Sequence, residues 1–187
     1  RTLRPGVVLK LTIGGEPVTF MNLHLKSACA NLTTGGGFPG RELTDPDPAC
    51  QVLNRQVAPL ENWMETVADN SPLFVLLGDF NRRLDQEASR PVPRNKVRKD
   101  GTPPDSPNAL GPDGHVSSRF LWQEISDGKP RLLQIPLAET ATGCTGFVGL
   151  DHILVSRALK QRQARPLSSQ KVPVEKVPRQ VIQTSDH

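Results

Sequence analysis

The chain has 187 residues, a formal net charge of +4, 18 prolines and 15 glycines, and 36% of its residues are hydrophobic. This length fits one domain or a large piece of one, with enough apolar residues for a core. No run of about 18 apolar residues occurs, so no membrane-spanning helix is predicted. The mild positive charge favours anionic partners without distinguishing nucleic acid from smaller phosphates.

The N-terminal part predicts a β-hairpin. Residues 7–13 and 18–25 are rich in apolar residues and are joined by a Gly-Gly-Glu-Pro turn, whose glycines can supply the positive φ that a tight turn requires. The second strand has one apolar face, and its opposite face ends on His24. The first strand has the composition of an interior strand, and the chain begins at Arg1 without a signal-peptide pattern. We therefore expect the sequence to be a piece of a longer protein.

A Gly/Pro-rich loop and a helix follow the hairpin. The helix is predicted from about Cys50 to Asp69 on an apolar stripe with helical spacing. A proline inside it, Pro59, predicts a kink or a break. Cys29 and Cys50 bracket the loop. A disulfide between them would restrict the loop and suit an exported protein, whereas two free thiols would suit a cytosolic enzyme.

The next strand leads into the most informative segment. Residues 73–77 form a continuous apolar run, which predicts a strand buried on both faces. Gly78-Asp79-Phe80-Asn81 follows directly. A period of two places Asp79 and Asn81 on one face and Phe80 in the core. A carboxylate can hold a divalent cation or take a proton from water, and an amide can orient a phosphate oxygen. The alternative is a common turn without function.

The remainder of the chain carries fewer signals. No periodic element is evident over residues 85–118, a short helix is predicted at 119–126, and strands are predicted at 132–137 and 150–156. A cationic cluster directly after the Asp79 motif predicts either a solvated loop or a rim that steers phosphates. Its members are Arg82, Arg83, Arg90, Arg94, Lys96, Arg98 and Lys99.

Three histidine-containing positions add to the Asp79 motif. His24 ends a strand, where a lone histidine is more often structural than functional. Asp151 and His152 open the last predicted strand, so only one of them can face a site on the sheet. Asp186 and His187 stand at the end of the sequence, and the alternative reading there is a frayed tail.

Four segments occur in a specific order: Asn-Leu-His-Leu-Lys at 22–26, Leu-Leu-Gly-Asp-Phe-Asn at 76–81, Leu-Asp-His-Ile-Leu-Val-Ser at 150–156, and Ser-Asp-His at 185–187. This set resembles the endonuclease/exonuclease/phosphatase superfamily, which includes pancreatic-type deoxyribonuclease. The resemblance runs from about residue 7 to the end. It implies the C-terminal portion of a single domain, a four-layer α/β sandwich of two mainly antiparallel sheets with outer helices. It also implies hydrolysis of phosphoesters with Mg²⁺, or with Mn²⁺ or Ca²⁺.

The resemblance implies a role for each matching residue. His24 would contact the scissile phosphate, and Asp79 and Asn81 would position or activate the attacking water. Asp151 would hydrogen-bond His187, which would act as a general base or stabilise the transition state.

The metal would lie near two of the carboxylates, Asp186 and Asp79. The superfamily's two earlier motifs, an Asn and a metal-binding Glu, have no match here, because Glu16 lies in the hairpin turn and Glu42 in the loop. We therefore expect the isolated 187-residue piece to be inactive or nearly so.

The most specific expectation is a phosphodiesterase or nuclease, acting as a monomer. The Cys29/Cys50 arrangement resembles that of exported bacterial members and implies a periplasmic or secreted protein. Trp63 and Trp122 are predicted as helix residues, so no aromatic platform for base stacking is evident. The alternatives are a lipid or inositol-phosphate phosphoesterase, a two-metal calcineurin-like enzyme, and a degenerate binding module.

Overall fold

The computed structural model describes residues 4–29, 41–89, 120–126, 130–136 and 149–162. Within them the chain forms a mixed five-stranded sheet in the order β1-β2-β3-β5-β4. The strands are β1 (Val7–Ile13), β2 (Glu16–His24), β3 (Phe74–Asp79), β4 (Leu132–Gln134) and β5 (Asp151–Ser156). The helices are α1 (Pro48–Asn70), α2 (Leu84–Ala88), α3 (Leu121–Ser126) and α4 (Arg157–Gln161).

The mixed α/β class and the hairpin are confirmed. Strands β1 and β2 pair in an antiparallel arrangement, and β2 pairs with β3 in a parallel one. The pairs β3–β5 and β4–β5 are antiparallel. β1 has the composition of an interior strand, but it lies at the edge of the described sheet, and its side chains are exposed.

One face of the sheet, here called the helix face, packs against α1, α2 and α3. Met21, Leu76 and Phe80 of the sheet side meet Leu53 and Met64 of α1 in one buried cluster. The apolar stripe of α1 therefore buries itself as the sequence predicted.

Helix α1 begins two residues before its predicted start. Asp47 caps it by accepting a hydrogen bond from the Ala49 amide at 2.8 Å, and Pro48 occupies the first turn. Pro lacks an amide hydrogen, which costs little in that first turn. The helix also continues through Pro59, so the alternative of a break there is wrong. Pro59 lies on the exposed side, and burial of the opposite stripe stabilises the helix on both sides of it.

The opposite face, here called the open face, is apolar but less covered. Val18, Val75 and Val155 form a second buried cluster with Leu159 of α4. The register places Val7, Leu9, Leu11 and Ile13 of β1 on this face, and they are 43–60% exposed.

β4 ends at Gln134, earlier than the predicted range of 132–137, and two helices were not predicted. The short helix α2 lies where no periodic element was evident, and α4 follows β5 directly. Each has only five residues, so neither completes enough turns to show a helical period in the sequence.

The disulfide between Cys29 and Cys50 is confirmed, with the two Cα atoms 4.8 Å apart. Both cysteines are fully buried in the helix-face core. None of the helices in the described ranges has the length and apolar character that a membrane crossing requires.

Gly78 allows β3 to approach β2 closely at the end of both strands. Its φ is +129°, and a Cβ there would lie 2.1 Å from the Leu23 carbonyl oxygen. That distance is far below van der Waals contact, so a larger residue forces the two strands apart.

We expect Gly78→Ala to lower the free energy of unfolding by about 2–4 kcal/mol, because it combines backbone strain with a backbone clash. Gly14→Ala is the matched control, since Gly14 also has a positive φ but has no atom near its Cβ position. Strain alone should cost about 1 kcal/mol there. Equal losses in urea unfolding would show that the close approach contributes nothing.

Candidate active site

Three of the predicted site residues occupy aligned positions on adjacent strands. His24 pairs with Asp79 across β2 and β3, and Asp79 pairs with Asp151 across β3 and β5. Side chains at paired positions lie on the same face of a sheet. By alternation from the buried valines of the same strands, this is the open face. The structure therefore brings these three side chains to one end of one face.

His24 lies between a cation and a carboxylate. Arg4 Nη1 contacts His24 Nδ1 and lies 3.3 Å from Nε2. His24 Nε2 lies 3.6 Å from Asp79 Oδ2, which is too long for a hydrogen bond. Because arginine is only a donor, the ring nitrogen to which it donates is an acceptor.

A tight turn, rather than strand alternation, positions Asn81. β3 ends at Asp79, and Asn81 has a φ of +51°. Its backbone N–H donates to Asp79 Oδ1 at 2.7 Å, and its side-chain Nδ2 donates to the Leu25 carbonyl at 2.9 Å. The period of two was therefore the wrong reason for placing Asp79 and Asn81 together, although they do make contact. Phe80 is fully buried on the helix face, as predicted.

Arg82 has neither of the roles predicted for the cationic cluster. Its side chain is fully buried, and its Nη2 lies 2.7 Å from Glu87 Oε1. Nε donates to the same oxygen, also at 2.7 Å. Nη1 donates to the carbonyls of Cys29 and Arg41 at 2.7 and 2.8 Å. A guanidinium can enter the core because these acceptors replace water.

Glu87 connects this network to helix α3. Its second oxygen, Oε2, accepts a hydrogen bond from the Trp122 amide of α3 at 2.8 Å. Arg83, by contrast, is partly exposed and pairs with Asp85 at 3.0 Å. Adjacent arginines therefore have different environments. Residues 90–99 of the predicted rim lie outside the described residues.

His152 supports the turn from the helix face. Its ring meets Phe80 edge to face, with ring centres 5.6 Å apart, and its Nε2–H donates to the Arg82 carbonyl at 2.8 Å. Asp151, the preceding residue, is exposed on the open face. The alternation of β5 thus gives the two neighbours separate environments.

The predicted partners at the end of the chain, Asp186 and His187, lie outside the described residues. The pairing of Asp151 with His187 and the place of Asp186 near a metal stay predictions.

The described residues include only part of the predicted metal site. No group of three His, Cys, Asp or Glu side chains in the described ranges could hold a metal ion. Asp79 already accepts the Asn81 amide with one oxygen, while its other oxygen faces His24. Mg²⁺ is usually bound by one or two carboxylates with water and substrate phosphate completing its shell. Asp79 could supply one such carboxylate, and Asp186, the other predicted ligand, lies outside the described residues, so the Mg²⁺ site stays a prediction.

Sequence reasoning missed two contributors to the site. Arg4 precedes the first strand, where no pattern marked it. The antiparallel pairing of β1 and β2 brings the end of β2, and so His24, next to Arg4. Glu87 stands five residues after Arg82, outside the three- and four-residue spacings of helix side-chain pairs, so no sequence signal marked it.

Comparison with models of known families, with curated proteins and with solved structures finds no match to this chain. The resemblance to the endonuclease/exonuclease/phosphatase superfamily therefore rests on the four sequence motifs.

We expect Arg82→Ala to lower the free energy of unfolding by about 3–5 kcal/mol, because it leaves the buried Glu87 carboxylate without its cation. The adjacent variant Arg83→Ala removes a partly exposed pair and should cost about 0–1 kcal/mol. Chemical unfolding of both variants measures the difference. Similar losses would contradict a special role for the buried pair.

Burial lowers the pKa of His152 below the ordinary imidazole value of 6.5, against the opposing effect of its hydrogen bond to the Arg82 carbonyl. Below about pH 6.5 His152 is protonated in the unfolded chain but stays mostly neutral in the folded chain. The free energy of unfolding therefore falls as pH falls. We expect His152→Gln to reduce this acid-side loss of stability, measured as free energies of unfolding between about pH 8 and pH 5. If the free energy of unfolding changes between about pH 8 and pH 5 by the same amount in His152→Gln as in the wild type, His152 does not cause the loss of stability.

Proposed function

We propose that this chain forms part of a phosphoester hydrolase of the endonuclease/exonuclease/phosphatase type. The alignment of His24, Asp79 and Asp151 on one face carries the proposal. Asp79 is buried between the other two, and a carboxylate is costly to bury unless it is paired. Asn81 joins them through its contact with Asp79.

The reaction would be an in-line attack of water on phosphorus. Asp79 would accept a hydrogen bond from this water, and the second amide hydrogen of Asn81 could reach a phosphate oxygen. As the new oxygen–phosphorus bond forms, the water gives its proton to Asp79, and the bond to the leaving oxygen breaks while that oxygen takes up a proton from solvent. The Arg4–His24 pair would stabilise negative charge on the phosphoryl oxygens.

Metal dependence is a separate part of this proposal. Mg²⁺ is the cofactor that the motifs imply, with Mn²⁺ or Ca²⁺ as alternatives. Asp79 is the one predicted ligand among the described residues, so no step of the proposed reaction is routed through the ion. Asp79 and Asp186 would be its ligands if further oxygens join them.

The finer fold is also part of the proposal. A four-layer sandwich requires a second sheet against the open face. The exposed row of Val7, Leu9, Leu11 and Ile13 supports this, because an apolar strip of this kind favours a packing partner. The chain would then represent the C-terminal portion of one such domain.

The disulfide supports an oxidising location. Bridges of this kind persist mainly in periplasmic or secreted proteins, because cytosolic thiols are kept reduced. We therefore propose a periplasmic or secreted protein. That it acts as a monomer stays an expectation from the sequence.

We expect Asp79→Asn, His24→Gln and Asp151→Asn to lower hydrolysis of bis(p-nitrophenyl) phosphate in Mg²⁺ by about 10²–10⁴-fold. The assay uses the complete gene product, and chelation of metal by EDTA should remove the activity of the wild type. Asp69→Asn is the matched control, because Asp69 is exposed at the end of α1.

Urea unfolding establishes that each variant is folded before its rate is compared. Rates equal to that of the Asp69→Asn control would reject the proposed site. Parallel assays with sphingomyelin, inositol phosphate and DNA distinguish the phosphodiesterase and nuclease reading from the lipid and inositol alternatives. Binding of these ligands without turnover of any of them would identify a non-catalytic module.

A further inference from the structure

A cleft of about 300 Å³ lies beside the candidate site. It is bounded by the segment before β1, the end of β2 and the middle of α1. His24 is shared between the cleft and the aligned residues of the open face. Its volume is at the small end of the range for ligand pockets, about 300–1,000 Å³.

The lining of the cleft combines an aromatic ring with two cations. Trp63 is half-buried in α1 and contributes its indole, while Leu23 and Leu60 extend the apolar surface. Arg4 and Arg55 also line the cleft, and the Arg4 guanidinium contacts His24. Trp63 is a helix residue, as predicted, and it also lines the cleft.

The backbone fixes the position of this indole. Gly6 lies against the Trp63 ring so closely that a Cβ would be 2.6 Å from its nearest atom. The other side of the helix packs into the buried core. A ring held in this way can offer a preorganised surface to a planar ligand.

We propose that this cleft binds the base of a nucleotide whose phosphodiester lies at His24. This inference rests on the proposed hydrolase function and specifies its substrate class as nucleic acid. A base stacks on an aromatic ring whatever its sequence identity, and arginine favours the adjacent phosphate. The contact of Arg4 with His24 connects the cleft to the position of the reacting phosphate.

The chemistry of the cleft favours a base over the other organic groups that occur in phosphoesters. An acyl chain gains nothing from two arginines. It would also cover their charged groups without pairing them, which is costly. An inositol ring offers hydroxyl groups, which gain little from the apolar surface of Trp63, Leu23 and Leu60. A planar base beside an anion matches both features.

The test measures binding apart from hydrolysis. These 187 residues contain two tryptophans, Trp63 and Trp122, so tryptophan fluorescence that is quenched in Trp122→Phe but not in Trp63→Phe is assigned to Trp63. The dinucleotide dTpT, added in EDTA, should quench this fluorescence. We expect it to bind about tenfold more tightly than dimethyl phosphate, which lacks a base.

Arg55 provides the matched pair of variants. It is exposed on α1, so Arg55→Gln should fold normally. We expect this variant to weaken dTpT binding and to reduce the logarithmic salt dependence of its affinity by about one unit, whereas Arg55→Lys should retain that dependence. Arg157→Gln, which removes an exposed arginine of α4, should change neither.

Equal affinities for dTpT and dimethyl phosphate would overturn the base-binding cleft, and so would equal effects of Arg55→Gln and Arg157→Gln. Tighter binding of glycerophosphocholine than of dTpT would overturn it in favour of a lipid headgroup. Each of these results could be obtained even if Asp79→Asn abolishes hydrolysis, so each would reject the cleft without rejecting the proposed function. If dTpT quenches the fluorescence but Asp79→Asn leaves hydrolysis unchanged, the proposed function is rejected. The cleft then stands as a nucleotide-binding site.

Discussion

The buried ion pair between Arg82 and Glu87 is the interaction on which the arrangement of the candidate site depends. Arg82 follows Asn81 directly, and its guanidinium also binds the carbonyls of Cys29 and Arg41. Glu87 in turn accepts the Trp122 amide of α3. A charge in the core is tolerated only while its acceptors remain in place. The pair therefore holds the disulfide segment, the Asn81 turn and two short helices in one arrangement.

One face of the sheet holds most of the buried core, and the other holds the aligned candidate site residues. The helix face takes the large apolar side chains, the disulfide and the ring of His152. The open face carries His24, Asp79 and Asp151 at one end and α4 at the other. Because neighbouring residues of a strand point to opposite faces, the same short segments can anchor the core and supply polar groups. Asp151 and His152 illustrate this most directly.

Much of the fold was predictable because its signals are local. The hairpin, the stripe of α1 and the apolar run of β3 are repeated patterns over many residues, and burial enforces them. The five-residue helices α2 and α4 are too short for such a pattern. Pro59 was overestimated as a helix breaker, since propensity is a weak constraint beside tertiary packing. Arg82 was misjudged because charge in a sequence indicates a solvated surface unless its partners are known.

The sequence by itself determined the candidate residues and their order along the chain: His24 at a strand end, Asp79 and Asn81 after a buried strand, and Asp151 at the start of another. It also indicated the pairing of Cys29 with Cys50. Only the tertiary structure decided which of these residues meet, because register between distant strands is not encoded in local spacing. The contact of Arg4 with His24, the turn that positions Asn81 and the burial of Arg82 all arise from chain segments far apart in sequence.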